Sequence, residues 1–316
     1  MAACRSGEEG KCMKYEKKVI AIKAIFACLL WSTAFAGVKI GLTYTTPFFL
    51  AGIRFLIAGL ILVPFSSPGG KYFIKLWENK KLILSVSAFQ TIIMYGLYFT
   101  GLNIIPGSIA ALIIGASPLI TALVSHFSLK DDKFSRDKFF AIILGLAGIV
   151  FIVSGRQAFE SVNTSNLIGA FLLIISMIAS AFANIIVSKH KGEINPILLN
   201  SYQLTFGGLI LILISLSVEG LPSIKLSFEF ILALAWLSFI SAAAFSIWFS
   251  LLKKPGVKVS ELNMWKFLIP VFGASFSWIL LPDESPTIIS IIGMVIITIS
   301  IILYYLPFKV GVNKKK

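Results

Sequence analysis

The sequence predicts an all-α integral membrane protein with ten transmembrane helices, arranged as two inverted five-helix repeats with both termini in the cytoplasm. The first observation is composition: the 316 residues are 57% hydrophobic and only 13% charged, with a mean hydropathy of +0.92. A soluble domain is about 25% charged. The second is a series of ten apolar runs, each long enough or nearly so to cross a bilayer, which takes about 20 residues. The third is that Lys and Arg cluster in every second connector.

Each apolar run is predicted to be a helix, because the hydrocarbon layer offers no partner to an unpaired backbone amide or carbonyl group. The first run follows a polar, basic segment and shows no A-x-A exit, so we expect it to stay in the membrane rather than to be cleaved as a signal peptide. The ten predicted helices are Val19–Leu42, Pro47–Phe65, Leu82–Ile104, Gly107–Leu129, Phe139–Ser154, Asn166–Ser188, Pro196–Ser217, Phe230–Leu252, Val259–Leu281 and Thr287–Pro307.

The distribution of positive charge sets the predicted orientation. With the N-terminus inside, the segments assigned to the cytoplasm hold 22 of the 28 Lys and Arg residues, and the segments assigned to the outside hold only Arg156 and Lys225. The other four lie within the apolar runs. An excess of this size on one side is typical of the positive-inside rule. The sequence therefore predicts a multi-pass protein of the cell (plasma or inner) membrane, with both termini cytoplasmic.

The ten helices divide into two sets of five. The first repeat covers residues 19–154 and the second residues 166–307, with an external linker at 155–165 and cytoplasmic tails at 1–18 and 308–316. Because five is an odd number, two copies of one five-helix unit lie in the membrane in opposite orientations. Inverted repeats are typical of secondary transporters that bind substrate near the midplane between the repeats. A duplication retained only for folding, or a channel with the same symmetry, is the alternative.

Local sequence supports the repeat. A Pro-Gly pair opens the fourth and the ninth predicted helices, at Pro106 and Pro255, and an acidic pair follows each helix. A further proline lies inside each of these helices, at Pro118 and Pro270. Counted from the Pro-Gly pairs, the two registers differ by about one helical turn.

Five stretches combine small residues and prolines within apolar helices. They are WSTAFAGVKIGL at Trp31–Leu42, PFFLAGIRFLIAGLIL around Arg54, the segment Tyr98–Gly155, and GAFLLIISMIASAFANIIVSKH and FLIPVFGASFSWILLPDE in the second half. In this order they resemble the EamA-type transporters of the drug/metabolite transporter superfamily, over nearly the whole chain apart from its tails. The resemblance implies a central cavity lined mainly by helices 1, 3, 4, 6, 8 and 9, with helices 5 and 10 peripheral. It also implies an amino acid or related metabolite as substrate, exported by most members and imported by some.

Two charged residues of the ninth predicted helix depart from that family pattern, which is usually apolar or small there. Lys266 lies about 12 Å into the helix at about 1.5 Å per residue, a depth at which an ionisable group usually faces a cavity or a partner. It is interpreted either as a cation that receives a substrate carboxylate or phosphate, or as a lysine that reaches the cytoplasmic side or is paired internally. Glu261 lies about one turn from the cytoplasmic mouth and can take a proton or an amine. Its alternative role, which we favour slightly, is an ion pair with Lys258.

Further candidates lie on six predicted helices. Arg54, in the middle of the second helix, occupies a family-typical position, and a structural charge is favoured over ligand contact. Ligand sites combine apolar walls with a few placed polar groups, although each such residue alone is more often a helix contact or an interfacial aromatic. The polar and aromatic set that indicates a cavity is Trp31, Ser32, Gln90, Tyr95, Tyr98, Ser117, Asn184, Ser241, Phe245, Trp248 and Trp265.

The sequence predicts a secondary transporter that moves a small metabolite by alternating access of a central cavity. An uncoupled channel or facilitator is the nearer alternative and an intramembrane enzyme the more distant one, because no H-E-x-x-H, G-x-S-x-G, C-x-x-C or nucleotide-binding P-loop pattern occurs. We expect no catalytic residue, metal or cofactor. The expected partners are a small-molecule substrate and the lipid bilayer, without nucleic acid, since the basic residues lie in connectors rather than in a groove. A homo-oligomer is compatible with the sequence but not required by it.

Overall fold

The computed structural model is helical, without strands, over the residues that it describes, which leave out 1–8, 67–71, 106–109, 111–112, 134, 155–163, 223, 225, 281–285 and 306–316. The first half contains α1 (Glu9–Gly41), α2 (Pro47–Ser66), α3 (Tyr72–Glu78), α4 (Lys80–Ser87), α5 (Met94–Leu102), α6 (Ser117–Ser128) and α7 (Arg136–Ser154). The second half contains α8 (Thr164–Lys189), α9 (Pro196–Val218), α10 (Phe228–Leu252), α11 (Val259–Met264), α12 (Leu268–Leu280) and α13 (Ile288–Tyr305).

Irregular turns join two pairs of helical segments. A π-helical turn at Ala88–Ile93 connects α4 to α5, and a 3₁₀ turn at Trp265–Phe267 connects α11 to α12. Short α3 was not predicted. The predicted Pro-Gly opening of the fourth helix, the acidic pair after the ninth, most of the external linker and the C-terminal tail lie outside the described residues.

In the part of the chain that the structure describes, seven helices are long and apolar enough to cross a membrane: Glu16–Gly41, Pro47–Ser66, Lys80–Leu102, Leu167–Lys189, Pro196–Val218, Phe228–Leu252 and Ile288–Tyr305. The other three predicted spans coincide with α6, α7 and the α11–α12 segment. A multi-pass, all-helical fold is therefore confirmed, whereas the count of ten spans and the orientation stay predictions.

The helix starts follow from local chemistry. Proline occupies the first position of α2 and of α9, where its missing N–H would have no partner in any case. Asn195 caps α9, because its Oδ1 accepts from the backbone N–H of Ile197 at 2.8 Å. No hydroxyl caps α2. Its first amides donate instead to the carboxylate of Glu219, which follows α9, at 3.0 and 3.3 Å.

The packing pairs equivalent helices of the two halves. α2 lies along α9, which are the second and seventh predicted helices, and α7 lies along α13, the fifth and tenth. α1 packs on α10, and the equivalent pair is α5 with α8; α1 also contacts α12, and the equivalent pair is α8 with α6. Every one of these contacts has its counterpart under a two-fold exchange of halves.

Glycines permit the two central contacts. A Cβ placed on Gly208 of α9 would lie 2.8 Å from the carbonyl oxygen of Gly52 of α2, and one placed on Gly293 of α13 would lie 2.5 Å from that of Gly148 of α7. Only a residue without a side chain fits at either contact, so the helix backbones touch directly.

Candidate functional site

Lys266 lies at the break between α11 and α12. Pro270 cannot donate the usual helical hydrogen bond to the carbonyl of Lys266, four residues earlier, and the backbone tightens there into the 3₁₀ turn. Protein surrounds the Lys266 ammonium, and the residue as a whole is half-buried, so that part of its surface stays accessible. Among the described residues, no carboxylate oxygen lies within 4.0 Å of its Nζ.

In the described part of the chain, the ammonium group of Lys266 contacts two indole rings instead of a carboxylate. The Nζ of Lys266 lies 5.0 Å from the ring centroid of Trp248 and 5.8 Å from that of Trp31. Such a contact contributes about 0.5–2 kcal/mol, whereas removing an ammonium from water costs several kcal/mol. The rings therefore do not compensate for the missing negative charge.

The rings around Lys266 are fixed by their own contacts. Trp31 meets Trp248 edge to face at 5.1 Å between centroids and meets Phe245 at 5.4 Å. The Nε1 of Trp248 donates to the Oδ1 of Asn184 at 2.7 Å. Five of the predicted site residues, on α1, α8, α10 and the 3₁₀ turn, thus come together. We name Lys266, Trp31, Trp248, Phe245 and Asn184 the lysine cage.

A second cation without a carboxylate is Arg54 of α2, which is 6% exposed. Its Cζ lies 4.5 Å from the ring centroid of Phe55 and 5.5 Å from that of Tyr95, and its Nε is enclosed without a hydrogen-bond partner. Tyr95 contacts Tyr98 at 6.1 Å, and neither hydroxyl bonds to another described residue. Rings of this group and of the lysine cage belong to one hydrophobic core. We expected a structural charge at Arg54, and the structure surrounds it with rings rather than acids.

Four other predicted residues differ in whether their polar groups are already hydrogen-bonded. The hydroxyls of Ser32 and Ser241 donate to carbonyls of their own helices at 2.7 and 2.8 Å. Gln90, in the π-helical turn, is 4% exposed and bonds to no other described residue. Ser117 is half-buried at the start of α6. Only the last two keep polar groups open to a ligand.

Glu261 and Trp265 face a different part of the molecule. A carboxylate oxygen of Glu261 lies 2.9 Å from the Nζ of Lys138 on α7 and 3.9 Å from that of Lys258. The partner suggested by sequence spacing is thus the more distant one. Trp265 stacks on Tyr305 of α13 at 5.1 Å between centroids. Both residues therefore lie toward α7 and α13, on the side where the lysine-rich connectors lie, which we name the basic side.

Asp132 was not among the predicted site residues. It is 3% exposed and accepts from the backbone N–H of Ser260 at 2.8 Å and from the Ser260 hydroxyl, so that it caps α11. The hydroxyl of Tyr304 donates to that of Ser260 at 3.3 Å. We name Asp132, Lys138, Ser260, Glu261 and Tyr304 the paired-charge cluster; it joins α7, α11, α13 and the connector between α6 and α7 on the basic side.

The sequence carries a signal for this contact. Ser108 lies ten positions before Pro118, and Ser260 lies ten positions before Pro270. Alignment of the repeats on these serines, instead of on the Pro-Gly pairs, removes the difference in register and aligns the acidic pairs as well. The serine and the acidic pair thus recur together in both repeats, which marks them as candidates for a shared contact.

A buried polar network was also missed. Thr91, in the π-helical turn, donates to the Oε1 of Gln203, whose Nε2 donates to Asn200 at 2.8 Å. Asn200 in turn donates to Ser246 at 2.9 Å. Each of these four side chains is hydrogen-bonded to another member of the network. The network therefore holds α9 against α10 and the π-helical turn, and we do not count it among the ligand contacts.

A cavity of about 280 Å³ opens on the basic side, between the α3–α4 region and the end of α8. Its lining mixes Lys80 and Lys81 with Glu78 and Glu193. It contains no residue of the lysine cage, and its acids and bases balance one another.

Comparison with known proteins places the chain among transporters. The model of the EamA-like transporter family matches residues 18–154 and 167–306. The uncharacterized transporter YvbV of Bacillus subtilis (strain 168) is 28% identical over 303 residues, covering 93% of this chain and 96% of that protein. The WAT1-related protein At3g02690, chloroplastic, of Arabidopsis thaliana is 27% identical and covers 96% of this chain and 72% of that protein. One solved crystal structure has the same fold, with a TM-score of 0.76 at 17% identity over 91% of this chain and 96% of that one.

Proposed function

Because this chain belongs to the EamA-like transporter family, we propose that it is a secondary transporter that moves a small metabolite across the cell membrane by alternating access. Membrane transport itself is what the relatives are named for. The observation that carries the proposal is Lys266: a half-buried cation that contacts two indole rings inside the bundle and lacks a counter-charge among the described residues. An intramembrane cation of this kind is a functional site by default.

The proposed architecture is ten spans in two inverted repeats, with the basic side in the cytoplasm. The packing of α2 on α9 and of α7 on α13, and the matched pairs around them, support the repeat. The lysine count supports the orientation. The paired-charge cluster joins three helices and one connector from both halves on the basic side, and its contacts would break when that side opens.

In the proposed site, Lys266 receives the carboxylate or phosphate of the substrate, and the rings of the lysine cage surround the rest. The family resemblance suggests an amino acid or related compound, and export. Gln90, Tyr95, Tyr98 and Ser117 are proposed as further contacts, because they are enclosed or half-buried and form no hydrogen bond with other described residues.

The test begins with an untargeted metabolite comparison of culture medium from cells that overexpress the wild type, Lys266→Met or Lys39→Met. Lys39 is the matched control, because it is an exposed lysine of a spanning helix. We expect compounds that accumulate with the wild type and Lys39→Met but not with Lys266→Met. Equal accumulation with Lys266→Met would contradict the proposed site.

Reconstitution then separates a transporter from a channel. In proteoliposomes, substrate on the far side accelerates flux through an alternating-access carrier, whereas it leaves flux through a channel unaccelerated. The same vesicles, with and without a pH gradient, show whether flux is coupled to protons. Flux that is independent of the gradient but still needs Glu261 would exclude Glu261 as a proton carrier.

A further inference from the structure

We propose that the site selects substrates by net negative charge, so that the transported compound is an amphipathic organic anion: a carboxylate on an apolar or aromatic body, without an ammonium group. The inference rests on the proposed function and narrows its substrate from amino acids and related compounds to the acids among them that lack the amine.

The first argument is charge balance. Two cations that contact the aromatic rings inside the bundle, Arg54 and Lys266, have no carboxylate within 4.0 Å among the described residues. The acids at the helix ends are engaged elsewhere: Asp132 with Ser260, Glu219 with the start of α2, and Glu261 with Lys138. A zwitterion adds no net charge, so it would leave both interior cations uncompensated. An anion neutralises one of them.

The second argument is the hydrogen-bond inventory. The groups left without a partner include the Nζ of Lys266 and the guanidinium of Arg54, which only donate. An ammonium group needs acceptors or open ring faces. The Oδ1 of Asn184 already accepts from Trp248, and the indole rings of Trp31 and Trp248 already carry the Lys266 ammonium.

The remaining acceptors in the region are weak by comparison. They are the amide oxygen of Gln90 and the hydroxyls of Tyr95, Tyr98 and Ser117, and none of them carries charge. They can orient a neutral hydroxyl or carbonyl of the substrate. Their hydrogen bonds do not offset the free energy of desolvating an ammonium ion beside two fixed cations.

The third argument concerns the substrate's body. The walls beside the cation are aromatic: Trp31, Phe245 and Trp248 form a contiguous edge-to-face group, and Phe55 and Tyr95 form another at 4.7 Å. Ligand pockets with such walls bind apolar or ring-bearing groups and use a few polar atoms for orientation. The carboxylate would lie against Lys266 and the apolar part against these rings.

Three probes that share a phenylethyl group test the inference. They are 3-phenylpropionate, L-phenylalanine and 2-phenylethylamine, which at pH 7 are an anion, a zwitterion and a cation. Binding is measured by thermal stabilisation and tryptophan fluorescence of the full chain in phosphatidylcholine nanodiscs. We expect the anion to bind at least about tenfold more tightly than the zwitterion, and the amine not to bind.

Variants connect the preference to the two cations. Lys266→Met should abolish the preference for the anionic probe, and Lys266→Arg should retain that preference. Lys39→Met should leave it intact. Arg54→Gln should weaken anion binding by about tenfold, with Arg54→Lys as the charge-preserving control if the glutamine variant does not fold. Equal or absent responses to the three probes, or anion binding that is unaffected by Lys266→Met, would overturn the inference. Transport itself is judged separately from the metabolite comparison, so it can stand when this inference fails.

Discussion

Two lysines in this molecule have nearly the same aromatic contact and differ in their counter-charge. The Nζ of Lys138 lies 5.1 Å from the ring centroid of Tyr304, and that of Lys266 lies 5.0 Å from the ring centroid of Trp248. Lys138 also has a carboxylate of Glu261 at 2.9 Å, whereas Lys266 has none among the described residues. The ring contact is therefore common to both lysines, and the missing acid is the difference on which we base the proposal that Lys266 binds substrate.

The difference has opposite consequences for stability. Lys138 and Glu261 are partly exposed, at 18% and 35% of their side chains, so their pair is worth about 1 kcal/mol or less. Lys266 is enclosed, and its positive charge costs free energy until a ligand neutralises it. We therefore expect the paired-charge cluster to stabilise the empty protein and the uncompensated charge of Lys266 to destabilise it.

The largest expected effect separates function from stability at Lys266. Replacing it by Met should lower transport in proteoliposomes by about 100-fold, since a lost contact to a buried charge costs about 2–5 kcal/mol. The same change removes the cost of an uncompensated ammonium, so the thermal midpoint of the empty protein should stay the same or rise. Flux and thermal unfolding of one preparation test both. A midpoint that falls together with the flux would show that Lys266 is a structural residue.

The second prediction concerns the buried acid of the paired-charge cluster. Asp132→Ala leaves the backbone amide and the hydroxyl of Ser260, near the start of α11, without their acceptor, and should lower the free energy of unfolding by about 1–3 kcal/mol. Its neighbour Asp131 is exposed, so Asp131→Ala should change it by less than about 0.5 kcal/mol. Denaturation in detergent micelles compares the two. If both variants unfold alike, the cap does not stabilise the basic side.

A double-mutant cycle measures the pair that defines the comparison. Lys138→Met and Glu261→Gln, singly and together, should give a coupling free energy of about 0.2–1 kcal/mol that falls as salt rises. The remaining Lys258 at 3.9 Å from Glu261 limits the loss in the Lys138 variant. A coupling above about 2 kcal/mol would place the pair in a drier environment than its exposure indicates and would weaken the contrast with Lys266.

The sequence was sufficient to predict the features that depend on local pattern. The depth of Lys266 follows from its position in an apolar run, and the helical family fold follows from the order of ten such runs. The absence of an acid beside Lys266 was not predictable, because it depends on which faces of α1, α8 and α10 meet. The same reason hid the main partner of Glu261: Lys258 is three residues away and visible, whereas Lys138 is 123 residues away.

The irregular turns were missed for a different reason. A π-helical or 3₁₀ turn changes one hydrogen bond within a run that remains apolar and helical, so hydropathy does not register it. For the turn at Lys266 a signal existed, since Pro270 removes one backbone donor four residues later. The π-helical turn contains no proline. The feature associated with it is the buried hydrogen bond from Thr91 to Gln203, which only the structure reveals.

The smallest expected effect involves a third lysine, Lys253, which follows α10 and is 9% exposed. Its Nζ donates to the carbonyl of Ile194, and burial lowers the pKa of Lys253 to about 8, partly opposed by the charge of Glu193. Above pH 8 the folded protein therefore binds fewer protons than the unfolded chain, whose lysine pKa is about 10.4. Stability should accordingly rise slightly between about pH 8 and pH 10. Thermal midpoints of the wild type and of Lys253→Met, measured across this pH range, test the prediction. The midpoint of the wild type should gain on that of the variant as pH rises. A constant difference would mean that Lys253 keeps its ordinary pKa.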